Sequence, residues 1–301
     1  MLARHLPILT RCARPLRRFC SSRPQDPAKP PAAICFAAGL AGGTLGGLVG
    51  LGGGVVMIPI MAARAGMTQH QAVATSSAAV AATGLSGCLS YYTTGAVDFA
   101  CAAAIAVTAM AGARLGARLT ARFDPVQLQR SFAIFQMLVA PMVPLKGALV
   151  RSSKKADPDA PTKATVGLAY EPPPLRGRES ELLKLAAAGL SAGVASGMFG
   201  IGGGVLITPM LCLFTDLPYV VVLGTTLASM VPPSLVSAAT HHGMGNLQVA
   251  AIAPLCLGSA IGAGMSAQLA VLCPSEEVLQ LLFAVMVFGM GGQKFLVLRG
   301  K

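Results

Sequence analysis

Gly50-Leu51-Gly52-Gly53-Gly54-Val55-Val56-Met57-Ile58-Pro59 returns as Gly200-Ile201-Gly202-Gly203-Gly204-Val205-Leu206-Ile207-Thr208-Pro209. The offset is 150 residues in a chain of 301, and both copies sit inside uncharged stretches. A duplicated glycine-rich break at membrane depth is how many carriers build one substrate site from two related halves. The chain therefore reads first as a transporter and not as an enzyme.

The surroundings support membrane burial. No formal charge occurs from Pro30 to Ala63, from Leu185 to Thr215, or from Leu217 to Ser275. About 20 apolar residues cross a bilayer, so the last run can hold two helices. Hydrophobic residues make up 54% of the chain and charged ones 11%, with a mean hydropathy of +0.67. Soluble domains carry about 25% charged residues, which makes a water-soluble fold a poor fit.

Four apolar segments, 32–63, 71–93, 97–120 and 128–149, precede a hydrophilic linker at 150–180. Four more follow, 182–214, 219–240, 247–270 and 277–298. Gly43 and Gly47 align with Gly193 and Gly197, Thr75-Ser76 with Thr225-Thr226, and Gly95 with Gly245. The expectation is an all-α polytopic membrane protein of about eight transmembrane helices. They form two homologous four-helix repeats, 32–149 and 182–298. Four crossings per unit imply parallel repeats, with the N-terminus, linker and C-terminus on one side. Arg114, Arg118, Arg122 and Arg130 resist this model, which puts them on the opposite side from the other basic loops. A re-entrant first segment would change the parity.

The glycines divide into two groups. Gly42, Gly46, Gly50 and Gly54, like Gly39, Gly43 and Gly47, recur every four residues, as do Ala192, Ser196, Gly200 and Gly204 in the second copy, the spacing that lets helix backbones approach. The triplets Gly52-Gly53-Gly54 and Gly202-Gly203-Gly204 break that period. Consecutive glycines cost a helix about 1 kcal/mol each relative to Ala. Pro59 and Pro209, five residues further on, each remove another backbone hydrogen bond. An unwound helix fits better than packing alone, and its exposed N–H groups favour an anion. The hydroxyl pairs Thr75-Ser76 and Thr225-Thr226 can either ligate an oxyanion or bond a nearby carbonyl. Arg114, Arg118 and Arg122 share a helix face, to funnel an anion or to reach the membrane interface.

The doubled Gly-x-Gly-Gly-Gly-x-x-x-x-Pro element resembles the sulfite exporter TauE/SafE family of membrane permeases. Ala74-Thr75-Ser76, Tyr91 through Asp98, and Gly112 through Leu119 resemble further parts of that family. The resemblance covers about 32 to 298 and implies an eight-span carrier exporting sulfite or related organosulfur anions. In the second copy Asn246-Leu247-Gln248 replaces the acidic loop end, and Gly264 and Gln268 replace Arg114 and Arg118.

Other chemistries find little support. There are no paired carboxylates for acid–base work and no nucleophile elbow. The eight cysteines are scattered among apolar residues without a CxxC pair. His241-His242, read as a loop pair, lacks the further ligands a metal needs. Neither a metal nor a cofactor is expected. The net charge of +12 lacks the interleaved aromatics of a nucleic-acid surface, so nucleic acid is not an expected partner. The expected partners are the lipid bilayer and a small anion, and a homo-oligomer stays open. No Asp or Glu lies near the glycine breaks, which points to transport driven by the substrate gradient and membrane potential without proton coupling.

Residues 1–22 carry five Arg and no acid, the composition of an organellar transit peptide, mitochondrial before plastid. Residues 23–31 form a Pro-rich spacer. The alternatives to a carrier are a structural or assembly membrane protein of the same fold without transport activity, and an anion channel. The candidate substrate residues are Gly52, Gly53, Gly54, Pro59, Thr75, Ser76 and Arg114, with Gly202, Gly203, Gly204, Pro209, Thr225 and Thr226.

Overall fold

Two successive residues with positive φ cannot continue a right-handed helix, and only glycine adopts that conformation without steric cost. Gly52 and Gly53 have φ of 74° and 77°, and Gly202 and Gly203 have 79° and 76°. Each long apolar segment is therefore cut in two. The computed structural model describes residues 30–120, six isolated positions between 122 and 137, 179–272 and 276–299. The leader, most of the fourth apolar segment and the 150–180 linker lie outside the described residues.

The described helices are α1 (Ala32–Val49), α2 (Gly54–Arg64), α3 (Gln69–Thr93), α4 (Phe99–Thr120), α5 (Glu179–Phe199), α6 (Gly204–Phe214), α7 (Tyr219–Gly243), α8 (Val249–Leu272) and α9 (Glu276–Arg299). No strand occurs among the described residues. Six of these helices, α1, α3, α4, α5, α7 and α8, are long and apolar enough to cross a membrane. The segment 32–63 is thus a helix, a break and a half-helix, and 182–214 repeats the arrangement. Both ends of α2 and α3 recur 150 residues later in α6 and α7.

The half-helix α2 doubles back along α1. A side chain on Gly46 would strike the backbone of Gly52 and Gly53, and one on Gly42 would strike Met57. The pair is a re-entrant hairpin, and the chain leaves it on the side where it entered.

Helix directions follow from the close contacts. Gly39, Gly43 and Gly47 of α1 lie against Leu255, Ser259 and Ala263 of α8, so the two helices run parallel. Ser86 and Ser90 of α3 donate to the carbonyls of Ala260 and Gly264, which aligns α3 with α8 as well. Gly112 and Gly116 of α4 lie against Leu190 and Val194 of α5, a second parallel pair. Between α3 and α7 the order reverses: Ser77 meets Ser237, and Gly84 meets Leu227. The expectation of parallel repeats is therefore corrected. Because each hairpin returns to its own side, α3 and its counterpart α7 run antiparallel.

That geometry removes the arginine difficulty. The end of α2 and the end of α4 share one face of the bundle, which bears exposed Arg64, Arg114, Arg118 and Arg122. The described acids, Asp98, Glu179, Glu181, Asp216, Glu276 and Glu277, all belong to the opposite end, together with Lys184.

Candidate functional site

The two glycine breaks meet at the centre of the molecule. A Cβ on Gly54 would collide with the Gly200 carbonyl, and one on Gly204 with the Gly50 carbonyl. Gly52 and Gly202 both approach Val80 and Met230, which stand at the midpoints of α3 and α7. Leu51 and Ile201, the non-glycine members of the motifs, are fully buried core residues.

Each position of the motif has its own physical reason. Gly50, at φ 74°, caps α1 in the left-handed conformation, and its N–H donates to Gly46. The next two glycines make the turn, with Gly53 as N-cap of α2 and no side chain capping it. Gly203 does the same for α6. Gly54 and Gly204 are helical and are needed for close approach. Pro59 and Pro209 sit inside α2 and α6 without ending them. The uncapped N-termini of α2 and α6 thus converge from opposite directions.

The hydroxyl pairs divide their work. Ser76 Oγ donates to the Gly200 carbonyl at 2.9 Å as well as to its own helix at Val73. Thr226 Oγ1 accepts from Thr208 Oγ1 at 3.4 Å, and Thr208 reaches the Gly50 carbonyl. Ser76 and Thr226 therefore touch the breaks or their supports. Thr75 and Thr225 face elsewhere: Thr75 Oγ1 accepts from the Gln248 N–H at 3.3 Å, and Thr225 Oγ1 from the Asp98 N–H at 2.9 Å. Each threonine clasps a loop of the other half. The Asp98 carboxylate in turn caps α4 by accepting from Ala100 and Cys101. Thr225→Val leaves a buried N–H without its acceptor, at a cost of about 1–3 kcal/mol. Its thermal midpoint in detergent is expected to fall below that of Thr225→Ser, which keeps the hydroxyl.

Arg114 lies away from the breaks. With Arg118 it lines a groove of about 550 Å³ between α4 and the end of α7, together with Val236, Thr240 and Met244. His241 and His242 lie within α7 and not in a loop. His242 is exposed, whereas His241 is fully buried with Nε2 3.1 Å from the Gly197 carbonyl. The sequence alone hid this, since a histidine pair beside Gly243 reads as a loop. The tell-tale is the 150-residue offset, which places His241 over Tyr91. No group of three metal-ligating side chains occurs among the described residues.

The family model of the sulfite exporter TauE/SafE matches residues 5–142 and 185–301. The chain belongs to that family. Among its relatives is a probable membrane transporter protein of Xylella fastidiosa (strain Temecula1 / ATCC 700964), 29% identical over 253 residues, covering 83% of this chain and 88% of the relative. The probable membrane transporter protein YunE of Bacillus subtilis (strain 168) is 28% identical over 221 residues, with 71% and 79% covered. YdhB of the same organism, also a probable membrane transporter protein, is 24% identical over 241 residues. No solved structure matches the chain. This TauE/SafE member is thus a multi-pass membrane protein of a transporter family, with its glycine signature at the core.

Proposed function

We propose that the protein is a secondary transporter of small sulfur-containing anions, sulfite or organosulfur anions, with its site where the two breaks meet. The observation that carries this is the convergence of two helix N-termini without side-chain caps on one centre. The positive ends of the helix dipoles and their free N–H groups favour an anion there. The two halves are read as homologous four-segment repeats set antiparallel, the arrangement in which carriers place such a site at mid-depth. The arginine-bearing face is assigned to the compartment where positive loops accumulate. The acid-free leader assigns the protein to an organellar membrane, the mitochondrial inner membrane before a plastid one, with import into isolated mitochondria as the check.

The test is a flux panel in proteoliposomes of purified protein, with sulfite, sulfate and methanesulfonate as probes. Saturable uptake of at least one, absent from protein-free vesicles, is expected. No uptake of any of the three would leave the fold serving a structural or assembly role. Uptake that does not saturate would mark a channel.

A further inference from the structure

The two halves differ in polarity at matching positions. Ser196, Ser234 and His241 of the second half are 1%, 0% and 0% exposed. Ser196 Oγ, Ser234 Oγ and His241 Nδ1 have no hydrogen-bond partner among the described residues. Leaving such groups unpaired costs about 1–3 kcal/mol each, so their retention calls for an explanation. In the first half the same positions hold Gly46, Gly84 and Tyr91. A side chain on Gly46 would fall 2.5 Å from the Gly53 nitrogen, and one on Gly84 2.8 Å from the Leu227 carbonyl. That half is closed where the second half carries hydroxyls.

The three groups belong to α5 and α7, the helices whose residues Ala192 and Ser234 pack on the second break at Gly203 and Gly202. Ser234 Oγ is 3.4 Å from where a Cβ on Gly202 would stand. Ser196 precedes Gly197, whose carbonyl holds the His241 ring. Ser234 and His241 are seven residues apart on α7, hence on one face, and the His241 side chain leans back toward Ser234. Tyr91 makes the matching bond, with its hydroxyl donating to the Gly47 carbonyl at 3.0 Å. The phenol spends its one hydrogen there, whereas an imidazole has a second nitrogen left over.

That second nitrogen decides the chemistry. The Gly197 carbonyl can only accept, so Nε2 carries the hydrogen and neutral His241 presents a bare lone pair at Nδ1. An oxyanion arriving alone meets that lone pair. A proton arriving alone meets positive or protonatable residues at the same end: His70 at the start of α3, Arg114 and Arg118 on α4, Arg122 just beyond it, and His242 next on α7. No described carboxylate lies at this end to offset them. Together the two are compatible, because protonated Nδ1 donates a charge-assisted bond to the anion while the serine hydroxyls supply neutral ones.

We propose that Ser196, Ser234 and His241 form an oxyanion subsite on the arginine-bearing side of the second glycine break, which an anion occupies together with a proton. This rests on the anion-transport reading and replaces the expectation of proton-free transport, which was drawn from the lack of Asp and Glu near the breaks and did not weigh His241.

The test uses full-length protein with sulfate and methanesulfonate, whose charges do not change between about pH 6 and about pH 8, the range in which histidine titrates. In detergent, either anion should raise the thermal midpoint more at the lower pH, and His241→Gln should abolish that difference. In proteoliposomes loaded with a pH dye, wild-type uptake should acidify the lumen. His241→Gln should lose the acidification, with uptake about ten- to hundredfold slower. His242→Gln, an exposed neighbour, should retain both. Ser196→Ala with Ser234→Ala should weaken binding at both pH values. Equal stabilisation at the two pH values, no stabilisation by either anion, or unchanged acidification in His241→Gln overturns the subsite. PH-dependent stabilisation with no uptake of any anion leaves the subsite standing and overturns the transport reading instead.

Discussion

Gly53→Ala is expected to destabilise the protein by about 2–4 kcal/mol, adding a left-handed-backbone penalty to an overpacking cost. The equivalent Gly203→Ala should lose only about 1–2 kcal/mol, since the backbone term then dominates. Both residues have φ near 77°. A Cβ at Gly53 would run into the Gly42 carbonyl, with the Met57 side chain 3.0 Å away. At Gly203 the nearest atom is the Ala192 carbonyl oxygen at 2.9 Å, also backbone but a shallower overlap than the one at Gly53. Thermal unfolding in detergent gives the ranking, and equal losses would show that backbone conformation alone sets the cost. Anion uptake is expected to fall further in both variants than stability does, because the added methyl groups lie at the uncapped helix starts.

Gly43→Leu and Gly193→Leu are expected to be more severe, at about 3 kcal/mol or more each, and to abolish assembly at ordinary expression temperature. Gly43 lies against the backbone of Ser259, and Gly193 against Ala109. Each substitution would pry apart one of the two parallel helix pairs, α1 with α8 or α4 with α5. Gly289→Ala is the matched control. It lies in α9 with no atom of the described residues within 4 Å of an added Cβ. There alanine's better helix propensity should leave stability unchanged or raised by up to about 1 kcal/mol. Size-exclusion profiles of detergent extracts separate the two outcomes. A monodisperse Gly43→Leu protein would mean that α1 and α8 do not pack as described.

The all-helical membrane character and the glycine stripes were legible because both are written in local composition. Gly39, Gly43 and Gly47 meet backbone atoms of a partner helix, as their four-residue spacing indicates, whereas Gly42 and Gly46 make room for the returning half-helix. Helix direction was not legible. It depends on whether residues 50–53 bend the chain or turn it fully around, and that is a matter of φ at Gly52 and Gly53, which a glycine permits without announcing. Parity failed for that one reason, and the arginines at 114, 118 and 122 had already registered the failure. Gly54 and Gly204 belong both to a four-residue stripe and to a triplet; they serve packing, as the stripe indicates, and only the first two glycines of each triplet make the turn. Thr75 and Thr225 looked interchangeable with Ser76 and Thr226. One residue of register on a helix turns a side chain about 100°, which separates loop clasp from break contact. His241 was missed because its helix runs on to Gly243, where the apolar pattern has already faded.

The mutual contact of the breaks also fixes a stoichiometry. Gly54 lies against the carbonyl of Gly200, and Gly204 against that of Gly50, closer than any side chain would allow. Neither break can shift without displacing the other, and the two helix N-termini share one centre. Two copies of the motif therefore make one shared compartment and not two independent ones. Titration of the purified protein with its anion should end at one equivalent per chain, although the signature in the sequence appears twice.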